Sequence, residues 1–376
     1  MPSSSPSSPR SPRHSVLVVA TGATERMHSR RPQPLHLLCG RPMVQYVVDA
    51  VRGLDPQRIV VVAGDGADQV EKRLAETVAD PRLVVAEQRS ARGSAESVLL
   101  GLEVFADDFG EDDLLIVPGN MPLLRADTVE ALLGAHQESG RAITVLGVDE
   151  PAAENTGRLI PGREPGSVDR VASSDESVVE PWLNATGVMA VRRSLLAPAI
   201  RRARPDAASG RVELHSVVEV LTGAGHQAAA VELGDVSEAR PVLDRVQLAS
   251  AEAAIRRRTN EHWMRRGVTM LDPDRTYVDT TVRLAPDVTL FPGTMLQGST
   301  VVGAGAEIGP DTRLDDCAVG ASARVEKTMG REAEIGEGAQ VGPFAVLDPG
   351  SHVAAGVATG PFHHARSSEP TSHARP

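Results

Sequence analysis

The chain has 376 residues, of which 41% are hydrophobic, so it is long enough and apolar enough for two globular domains. Acidic residues outnumber basic ones by 50 to 39, and the formal net charge is −11. Because nucleic-acid binding depends on clustered lysine and arginine, this balance argues against a nucleic-acid partner.

The N-terminal segment, residues 1–13, is rich in Ser, Pro and Arg, and we expect it to be disordered. The apolar run that follows is too short for a signal-peptide core or a membrane span. Cys39 and Cys317 lie far apart in the sequence, which indicates buried free thiols in a reducing compartment rather than a disulfide framework or a metal site. We therefore predict a cytoplasmic protein with no membrane partner.

The first predicted strand is the apolar run Val16–Ala20, which breaks at Thr21 and Gly22 into a polar loop that carries Arg26. Open α/β sheets bind ligands beyond the carboxyl ends of their strands. Backbone N–H groups of such a loop can hold a phosphate, and an arginine can pair with it. The alternative is an ordinary turn with a solvated charge.

Segments typical of strands and helices then alternate along the chain. Apolar runs predict strands at 58–63, 83–86, 114–117 and 142–146. Helical periodicity predicts helices at 43–51, 94–105, 126–136, 211–221 and 242–265. The alternation predicts an α/β, Rossmann-like fold with a mostly parallel sheet that is covered on both faces. The loops that follow the strands, at 87–93 and 118–122 as well as after Ala20, should face the ligand.

The period of the sequence changes at Leu284. From there, aliphatic residues recur every six positions, at Leu284, Leu290, Leu296, Val302, Ile308 and Leu314. After a slip of phase near Val319 and Val325, the repeat resumes at Ile335, Val341, Leu347 and Val353. Hexapeptide repetition is typical of a parallel β-helix whose aliphatic residues point inward, the alternative being Gly-rich loops with chance spacing. Residues 363–376 lack the repeat and predict a disordered polar tail in which His363 and His364 are solvated.

Several motifs together resemble one family. The stretches VVATGATERM and PQPLHLLCGRPM are similar to its LAAGxGTRM and PKxLHxLxGxPM motifs, RGSAESVLLGL to LGTGHAVxxGL, and LLIVPGNMPLL to LYGDVPLL. In the second half, GVTMLDP and VGPFAVLDPGS resemble GVTxxDP and IGPFAxLRPGT. The family is the bifunctional N-acetylglucosamine-1-phosphate uridylyltransferase/glucosamine-1-phosphate acetyltransferase, GlmU, and the similarity is greatest to its actinobacterial members.

The resemblance implies a nucleotidyltransferase-like domain at 14–241, a linker helix at 242–267 and a truncated left-handed β-helix at 268–362. In the family, the first domain joins UTP to N-acetylglucosamine 1-phosphate and releases pyrophosphate, giving UDP-N-acetylglucosamine, a cell wall precursor. The expected partners are therefore UTP or a UDP-sugar and a sugar 1-phosphate. This transfer needs no covalent intermediate, so the protein supplies positioning and charge through Mg²⁺, an arginine and a lysine.

At the catalytic positions the chain departs from the family pattern. Arg26 matches the arginine, but Gln33 stands in place of the lysine, and Thr24 stands in place of the second loop glycine. A neutral amide brings no charge to a phosphate, and loss of one preorganised donor typically costs about 10²- to 10³-fold in rate.

The implied Mg²⁺ site is also altered. Asn120 replaces the family's aspartate, and Leu243 replaces its asparagine. Magnesium prefers anionic oxygen, which neither side chain offers. Because neighbours on a helix face different ways, Asp244 can compensate only if this segment is not helical.

The resemblance assigns nucleotide contacts to Ala20, Thr21, Gly22, Gln88, Gly93 and Ser94, and sugar contacts to Gly157 and Asn184. Gln88 matches the glutamine that reads uracil, although a solvated polar residue at a strand end is an equally good interpretation. The family's sugar-binding asparagine falls on Ala185, one position after Asn184.

For the family's second activity, Asp348 stands where the acetyl-transfer site has an arginine, and the later coils are not in the sequence. We therefore expect no acetyltransferase activity and no coenzyme A site. Family members pack as trimers through these coils, and an open coil edge needs a cap or a partner, so we predict a homotrimer. Two functions remain: a nucleotidyltransferase of weak or altered activity, and a non-catalytic paralogue that binds a sugar nucleotide or assembles with an active subunit.

Overall fold

The computed structural model describes residues 13–22, 25–89, 93–105, 112–150, 157–172, 182–205 and 210–366. It divides into two compact units, the first formed by Met1–His36 and Pro42–Gln247 and the second by Leu37–Arg41 and Leu248–Pro376. The division falls inside the helix that we predicted as a linker. That helix runs from Arg245 to Met264.

The predicted strands and helices occur in the part of the chain up to this helix, together with elements that the sequence did not predict, among them helices at 67–77 and 193–202 and strands at 158–161, 167–172, 183–192 and 228–232. Its strands are β1 (His14–Ala20), β2 (Leu37–Leu38), β3 (Arg41–Pro42), β4 (Ile59–Ala63), β5 (Leu83–Glu87), β6 (Asp113–Pro118), β7 (Ile143–Val148), β8 (Arg158–Pro161), β9 (Ser167–Ala172), β10 (Leu183–Arg192) and β11 (Ala228–Glu232). The helices are α1 (Met43–Arg52), α2 (Ala67–Thr77), α3 (Ser94–Val104), α4 (Ala126–Ser139), α5 (Arg193–Arg202), α6 (Ser216–Gly223) and α7 (Arg245–Met264). Short 3-10 turns occur at Glu25–Met27, Gln33–Leu35, Val236–Ala239 and Pro273–Arg275.

The first unit is built on a nine-stranded sheet in the order β5-β4-β1-β6-β10-β7-β11-β9-β8. The strands β5, β4, β1 and β6 are parallel, as predicted. The other half is mixed, because β10 runs antiparallel to both β6 and β7, and β9 runs antiparallel to β11. A mostly parallel sheet is thus correct for the half that contains β1 and wrong for the other half, where β8 and β9 carry polar residues and lack an apolar run.

Helices cover both faces of this sheet, and each face has its own core. Val16 and Val18 of β1 pack with residues of α1, α2 and α4, whereas Leu17 between them packs with residues of α3, α5 and α6. Since successive side chains of a strand point to opposite faces, an unbroken apolar strand is what a doubly covered sheet requires. One predicted helix is shorter than expected: only Ser216–Gly223 of residues 211–221 is helical, and the residues before it form an irregular segment.

The second unit contains the hexapeptide repeat, which forms three parallel sheets. Its strands are β12 (Thr269–Met270), β13 (Tyr277–Val278), β14 (Arg283–Leu284), β15 (Thr289–Leu290), β16 (Met295–Gln297), β17 (Val301–Val302), β18 (Glu307–Ile308), β19 (Arg313–Asp315), β20 (Ala318–Val319), β21 (Arg324–Val325), β22 (Met329–Arg331), β23 (Glu334–Ile335), β24 (Gln340–Val341), β25 (Val346–Leu347), β26 (His352–Val353) and β27 (His364–Ala365). Each strand pairs in parallel with the strand three positions later, except that β25 pairs with β27, so the chain winds through the three sheets in turn, as in a β-helix.

The predicted inward positions of the repeat are buried. Leu290, Leu296 and Ile308 are fully buried, and the other aliphatic residues of the repeat are at most 7% exposed. The slip of phase reflects shorter coils: Leu296 is aligned with Leu314, 18 residues later, whereas Val302 is aligned with Val319, 17 residues later, and Leu314 with Gly330, 16 residues later. Gly330 takes the inward position of its strand, where a Cβ would lie 3.0 Å from Leu314 Cδ2 and 3.5 Å from Cys317 Sγ.

The polar tail begins later than the sequence indicated. His364 and Ala365 form β27, which pairs with β25, and His364 Nε2 lies 2.9 Å from an Asp348 carboxylate oxygen. The prediction that the disordered tail begins at residue 363 is therefore wrong for His364, although its side chain is exposed, as predicted. Residues 1–12 and 367–376 lie outside the described residues. In the part of the chain that is described, no helix is both long and apolar enough to cross a bilayer.

We predict that Ile335→Ala destabilises the second unit by about 2–5 kcal/mol, since it leaves a cavity at an inward position that is 2% exposed. The matched control is Glu334→Ala, which changes the exposed neighbour on the same strand and should stay within about 0.5 kcal/mol. Urea unfolding followed by circular dichroism measures both variants. Equal losses in the two variants would contradict the inward placement of the repeat.

Candidate active site

A cavity of about 260 Å³ opens beside the carboxyl ends of β1 and β6. This is the place where an open α/β sheet binds its ligand. The lining residues are Val19, Ala20, Thr21, Gly22, Gln33, Pro34, Met43, Ser94, Ile116, Pro118, Gly119, Asn120, Gly157, Ala185, Thr186, Gly187, Met189, Glu213, Leu214 and His215. Of the residues assigned from the sequence, Arg26, Gln88, Gly93 and Asn184 do not line this cavity.

The loop after β1 forms one wall. Thr21 Oγ1 lies 3.0 Å from Ser97 Oγ, and the Gly119 amide donates to the Val19 carbonyl at 2.7 Å, which brings the ends of β1 and β6 together. Arg26 lies in the following 3-10 turn with an exposed side chain. Thr24 lies outside the described residues.

Gln33, which replaces the family's lysine, is only 2% exposed. Its Nε2 donates to the Val242 carbonyl at 2.7 Å, and its Oε1 occupies the position that a Cβ on Gly22 would take. The glycine is therefore required for this close approach. The amide is already paired with protein groups.

The two positions that the resemblance implies as metal ligands, Asn120 and Leu243, both adjoin Val242. Asn120 follows β6, and its carbonyl accepts from the Val242 amide at 2.8 Å. Leu243 and Asp244 precede α7 and are not helical, which is the condition under which Asp244 was expected to compensate. However, Asp244 Oδ1 accepts from the Gln247 amide at 2.8 Å, and Gln247 Oε1 accepts from the Asp244 amide at 3.2 Å. This reciprocal pair is a capping box, so the carboxylate serves the helix N-terminus.

Gln88 is buried beside α3 and has internal partners. Its Oε1 accepts from Ser97 Oγ at 2.7 Å, and its Nε2 lies 3.4 Å from a Glu96 carboxylate oxygen. Ser97 Oγ uses its proton for Gln88, so Thr21 Oγ1 is the donor in its hydrogen bond with Ser97. These two hydrogen bonds link the loop after β1 to the end of β5. The interpretation as a solvated residue is wrong, since Gln88 is 7% exposed. The uracil contact stays a prediction.

Gly93 and Ser94 form the N-terminal end of α3. Gly93 has φ +107°, a conformation that favours glycine, and a Cβ there would lie 2.9 Å from the Val212 carbonyl oxygen. Ser94 Oγ donates to Glu213 Oε2 at 3.0 Å and accepts from the Leu214 amide at 2.9 Å. These bonds hold the irregular segment before α6 against the cavity.

Glu213 and His215 are cavity residues that the sequence analysis missed. Both line the cavity and flank Leu214, which is 7% exposed and packs in the core. The Ser216 amide donates to the Glu213 carbonyl at 3.1 Å, so both residues lie in a turn that precedes α6. Among the described lining residues they are the only ionisable side chains, with no lysine or arginine.

The sugar-side residues occupy neighbouring strands. Gly157 precedes β8, its carbonyl accepts from the Ala185 amide at 2.8 Å, and a Cβ on it would overlap Val171. Asn184 lies beside Ala185 on β10 and donates from Nδ2 to the Glu150 carbonyl, while its buried Oδ1 has no hydrogen-bond partner. Ala185, rather than Asn184, lines the cavity.

Comparison with known proteins agrees with the fold and with the motifs. The MobA-like NTP transferase domain matches residues 16–220. Bifunctional protein GlmU of Kineococcus radiotolerans is 40% identical over 349 residues, which cover 92% of this chain and 70% of that protein. The GlmU proteins of Streptomyces avermitilis and Streptomyces coelicolor are both 38% identical, over 92% and 94% of this chain and 72% and 73% of their own lengths. The chain belongs to the GlmU family.

Membership of the GlmU family confirms the resemblance seen in the sequence, and it identifies the first unit as an NTP transferase domain of the sugar-phosphate nucleotidyltransferase type. The relatives named above are actinobacterial, as the motifs indicated.

Nucleotidyltransferases of this type generally use Mg²⁺, but the donor atoms of this chain do not fit the ion. Asn120 offers a neutral oxygen, Leu243 offers none, and the Asp244 carboxylate caps α7. Within the described residues, no group of three or more His, Cys, Asp or Glu side chains is placed to hold a metal ion.

We predict that the stability of the protein falls as the pH drops from about 7.5 to about 5.5, through the titration of His36. Burial and the nearby charge of Arg245 lower the pKa of His36, whose Nδ1 lies 3.2 Å from an Arg245 guanidinium nitrogen. A group with a lowered folded-state pKa contributes stability above its unfolded pKa of about 6.5 and loses it as the pH falls. Thermal unfolding across this range should show a steeper decline for the wild type than for His36→Gln. Parallel declines would contradict this assignment.

Proposed function

We propose that the chain is a sugar-1-phosphate nucleotidyltransferase that converts UTP and N-acetylglucosamine 1-phosphate to UDP-N-acetylglucosamine and pyrophosphate, and that it does so slowly. The observation that carries the proposal is the cavity at the carboxyl ends of β1 and β6, bordered by the loop motif and by Ser94 and Gly157. The resemblance in sequence assigns nucleotide and sugar contacts to these residues.

The expected chemistry is positioning and charge stabilisation, without a covalent intermediate. The backbone of Ala20, Thr21 and Gly22 and the N-terminal end of α3 offer N–H groups for the nucleotide, and the exposed Arg26 offers charge for a phosphate. The slow rate follows from three replacements: Gln33 brings no charge, Asn120 brings a neutral oxygen, and Leu243 brings no donor. Each loss of this kind typically costs about 10²- to 10³-fold.

The second candidate is a non-catalytic paralogue that binds a sugar nucleotide or assembles with an active subunit. The pairing of Gln33 with Val242 and the capping role of Asp244 favour it, because both polar side chains are engaged within the protein. Substrate turnover distinguishes the two candidates.

We expect slow pyrophosphate release from wild-type protein with UTP, N-acetylglucosamine 1-phosphate and Mg²⁺. The double variant Asn120→Asp/Leu243→Asn restores oxygen donors at the metal positions and should be faster by about 10²-fold. Asp348→Asn, a surface change in the other unit, serves as the control and should leave the rate unchanged.

Rapid turnover by the wild type, at the rate of the Streptomyces coelicolor relative in the same assay, would refute the slow-enzyme proposal. Binding of UTP in calorimetry without pyrophosphate release from any variant would support the non-catalytic candidate instead.

We also propose that the chain lacks acetyltransferase activity. Asp348 occupies the position of the family's arginine and pairs with His364, so the charge at this position is inverted and already partnered. An assay with acetyl-coenzyme A and glucosamine 1-phosphate tests this point.

We propose a homotrimer formed through the β-helix. Met329 and Val346 are aligned on adjacent strands of one sheet, and they are 60% and 42% exposed. Near them, Phe344 and Phe362 stack with ring centroids 5.2 Å apart and are also exposed. Exposed apolar side chains that form a contiguous patch are typical of a subunit interface.

We predict that Met329→Glu/Val346→Glu converts the trimer to monomers at micromolar concentration, because it places two charges in the apolar patch. Ala318→Glu adds a charge on an exposed position of the neighbouring sheet and serves as the control. Sedimentation velocity measures the mass. A monomeric wild type would refute the trimer.

A further inference from the structure

We infer that Gln33 is a positioning residue that ties together three segments around the cavity, and that its amide is not a ligand for phosphate. The inference rests on the proposed function, since it concerns the same cavity. It assigns to Gln33 a role that differs from the one its position in the motif implies.

The first segment is the turn that carries Gln33 itself. The 3-10 turn Gln33–Leu35 begins after Pro32 and contains Pro34, so its backbone is restricted. The Leu35 amide donates to the Pro32 carbonyl at 3.0 Å, and the His36 amide donates to the Gln33 carbonyl at 3.2 Å. Because this backbone is restricted, the position of the Gln33 Cα is fixed, and the side chain is buried, with 2% exposed.

The second segment is the loop after β1. Gln33 Oε1 lies against Gly22, in the space that any other residue would fill with its Cβ. The amide group therefore covers the loop at Gly22, where the family motif brings backbone close to the nucleotide. A lysine has no oxygen branch at this point, and its side chain is one atom longer and ends in a charge.

The third segment is the backbone around Val242. Gln33 Nε2 donates to the Val242 carbonyl, and the Val242 amide donates to the Asn120 carbonyl. On the other side, the Leu243 amide donates to Gln247 Oε1 at 2.7 Å. Gln33, Asn120 and Leu243, the three replaced positions, thus adjoin one short stretch of backbone.

This arrangement explains why a neutral amide suits position 33. A buried amide whose N–H is paired contributes a modest net stabilisation, whereas a buried ammonium without a counter-ion is costly. Among the described lining residues, the only ionisable side chains that could act as a counter-ion are Glu213 and His215, and Glu213 is already bonded to Ser94. Gln33→Lys alone should therefore weaken the packing around the cavity and should not restore fast transfer.

The first test is hydrogen exchange, which needs no ligand. Gln33→Glu keeps the shape of the side chain and replaces the donor by an oxygen that faces the Val242 carbonyl. In Gln33→Glu and in Gln33→Lys, we expect the amides of residues 242–244 to exchange about tenfold faster than in the wild type. Val70→Ala, a buried change on α2, is the control for a general loss of stability and should not produce this local increase. Unchanged exchange at residues 242–244 in both Gln33 variants would overturn the inference.

The second test adds Gln33→Lys to Asn120→Asp/Leu243→Asn in the pyrophosphate assay. A positioning role predicts that the lysine raises the KM for UTP and gives no gain in kcat over the double variant. A further gain of about 10²-fold in kcat would overturn the inference, because it would show that only the charge was missing. If no variant releases pyrophosphate, the proposed function fails, and the exchange measurements still decide the role of Gln33.

Discussion

The pairing of β1 with β4 on one side and β6 on the other determines the geometry of the first unit. All three strands are apolar and parallel, and β1 is buried on both faces. The chain therefore reaches a polar environment, where a ligand can bind, only beyond the carboxyl end of β1. The loop motif after Ala20 is placed there by the strand and not by its own sequence. The cavity, the turn at Gln33 and the segment at Val242 all lie around the carboxyl end of β1. The fold of this unit therefore does not depend on charged side chains at positions 33 and 120.

Several polar side chains around the site positions are paired within the protein. Gln33 pairs with backbone, Asp244 caps α7, and Gln88 is bonded to Ser97. In each case the polar side chain satisfies a group of the protein itself, and only Gln33 of the three lines the cavity. Pairing of these buried polar groups avoids the cost of unsatisfied donors and acceptors at Gln33, Gln88 and Asp244.

The sequence predicted those parts of the fold that depend on local pattern. The apolar runs of β1, β4 and β6 and the period of six in the β-helix were sufficient, since each reports directly which side chains are buried. The strands β8, β9, β10 and β11 were not predicted. The first two mix polar and apolar residues near the edge of the sheet, so they lack an apolar run. Glu213 and His215 were missed because their segment was assigned to a helix. The role of Gln33 was not accessible, because its partner is a backbone carbonyl 209 residues away.

The strands β2 and β3 enclose a tight turn at Cys39 and Gly40 that belongs to the second unit, although the chain on either side of it belongs to the first. The Cys39 amide donates to Glu252 at 2.7 Å, and its carbonyl accepts from the Thr280 amide at 3.1 Å. The polypeptide thus crosses between the units three times rather than once. A fragment cut after Gln247 would carry this turn without Glu252 and Thr280, exposing an otherwise shielded thiol. Neither unit can be excised at a single point with all of its own contacts intact.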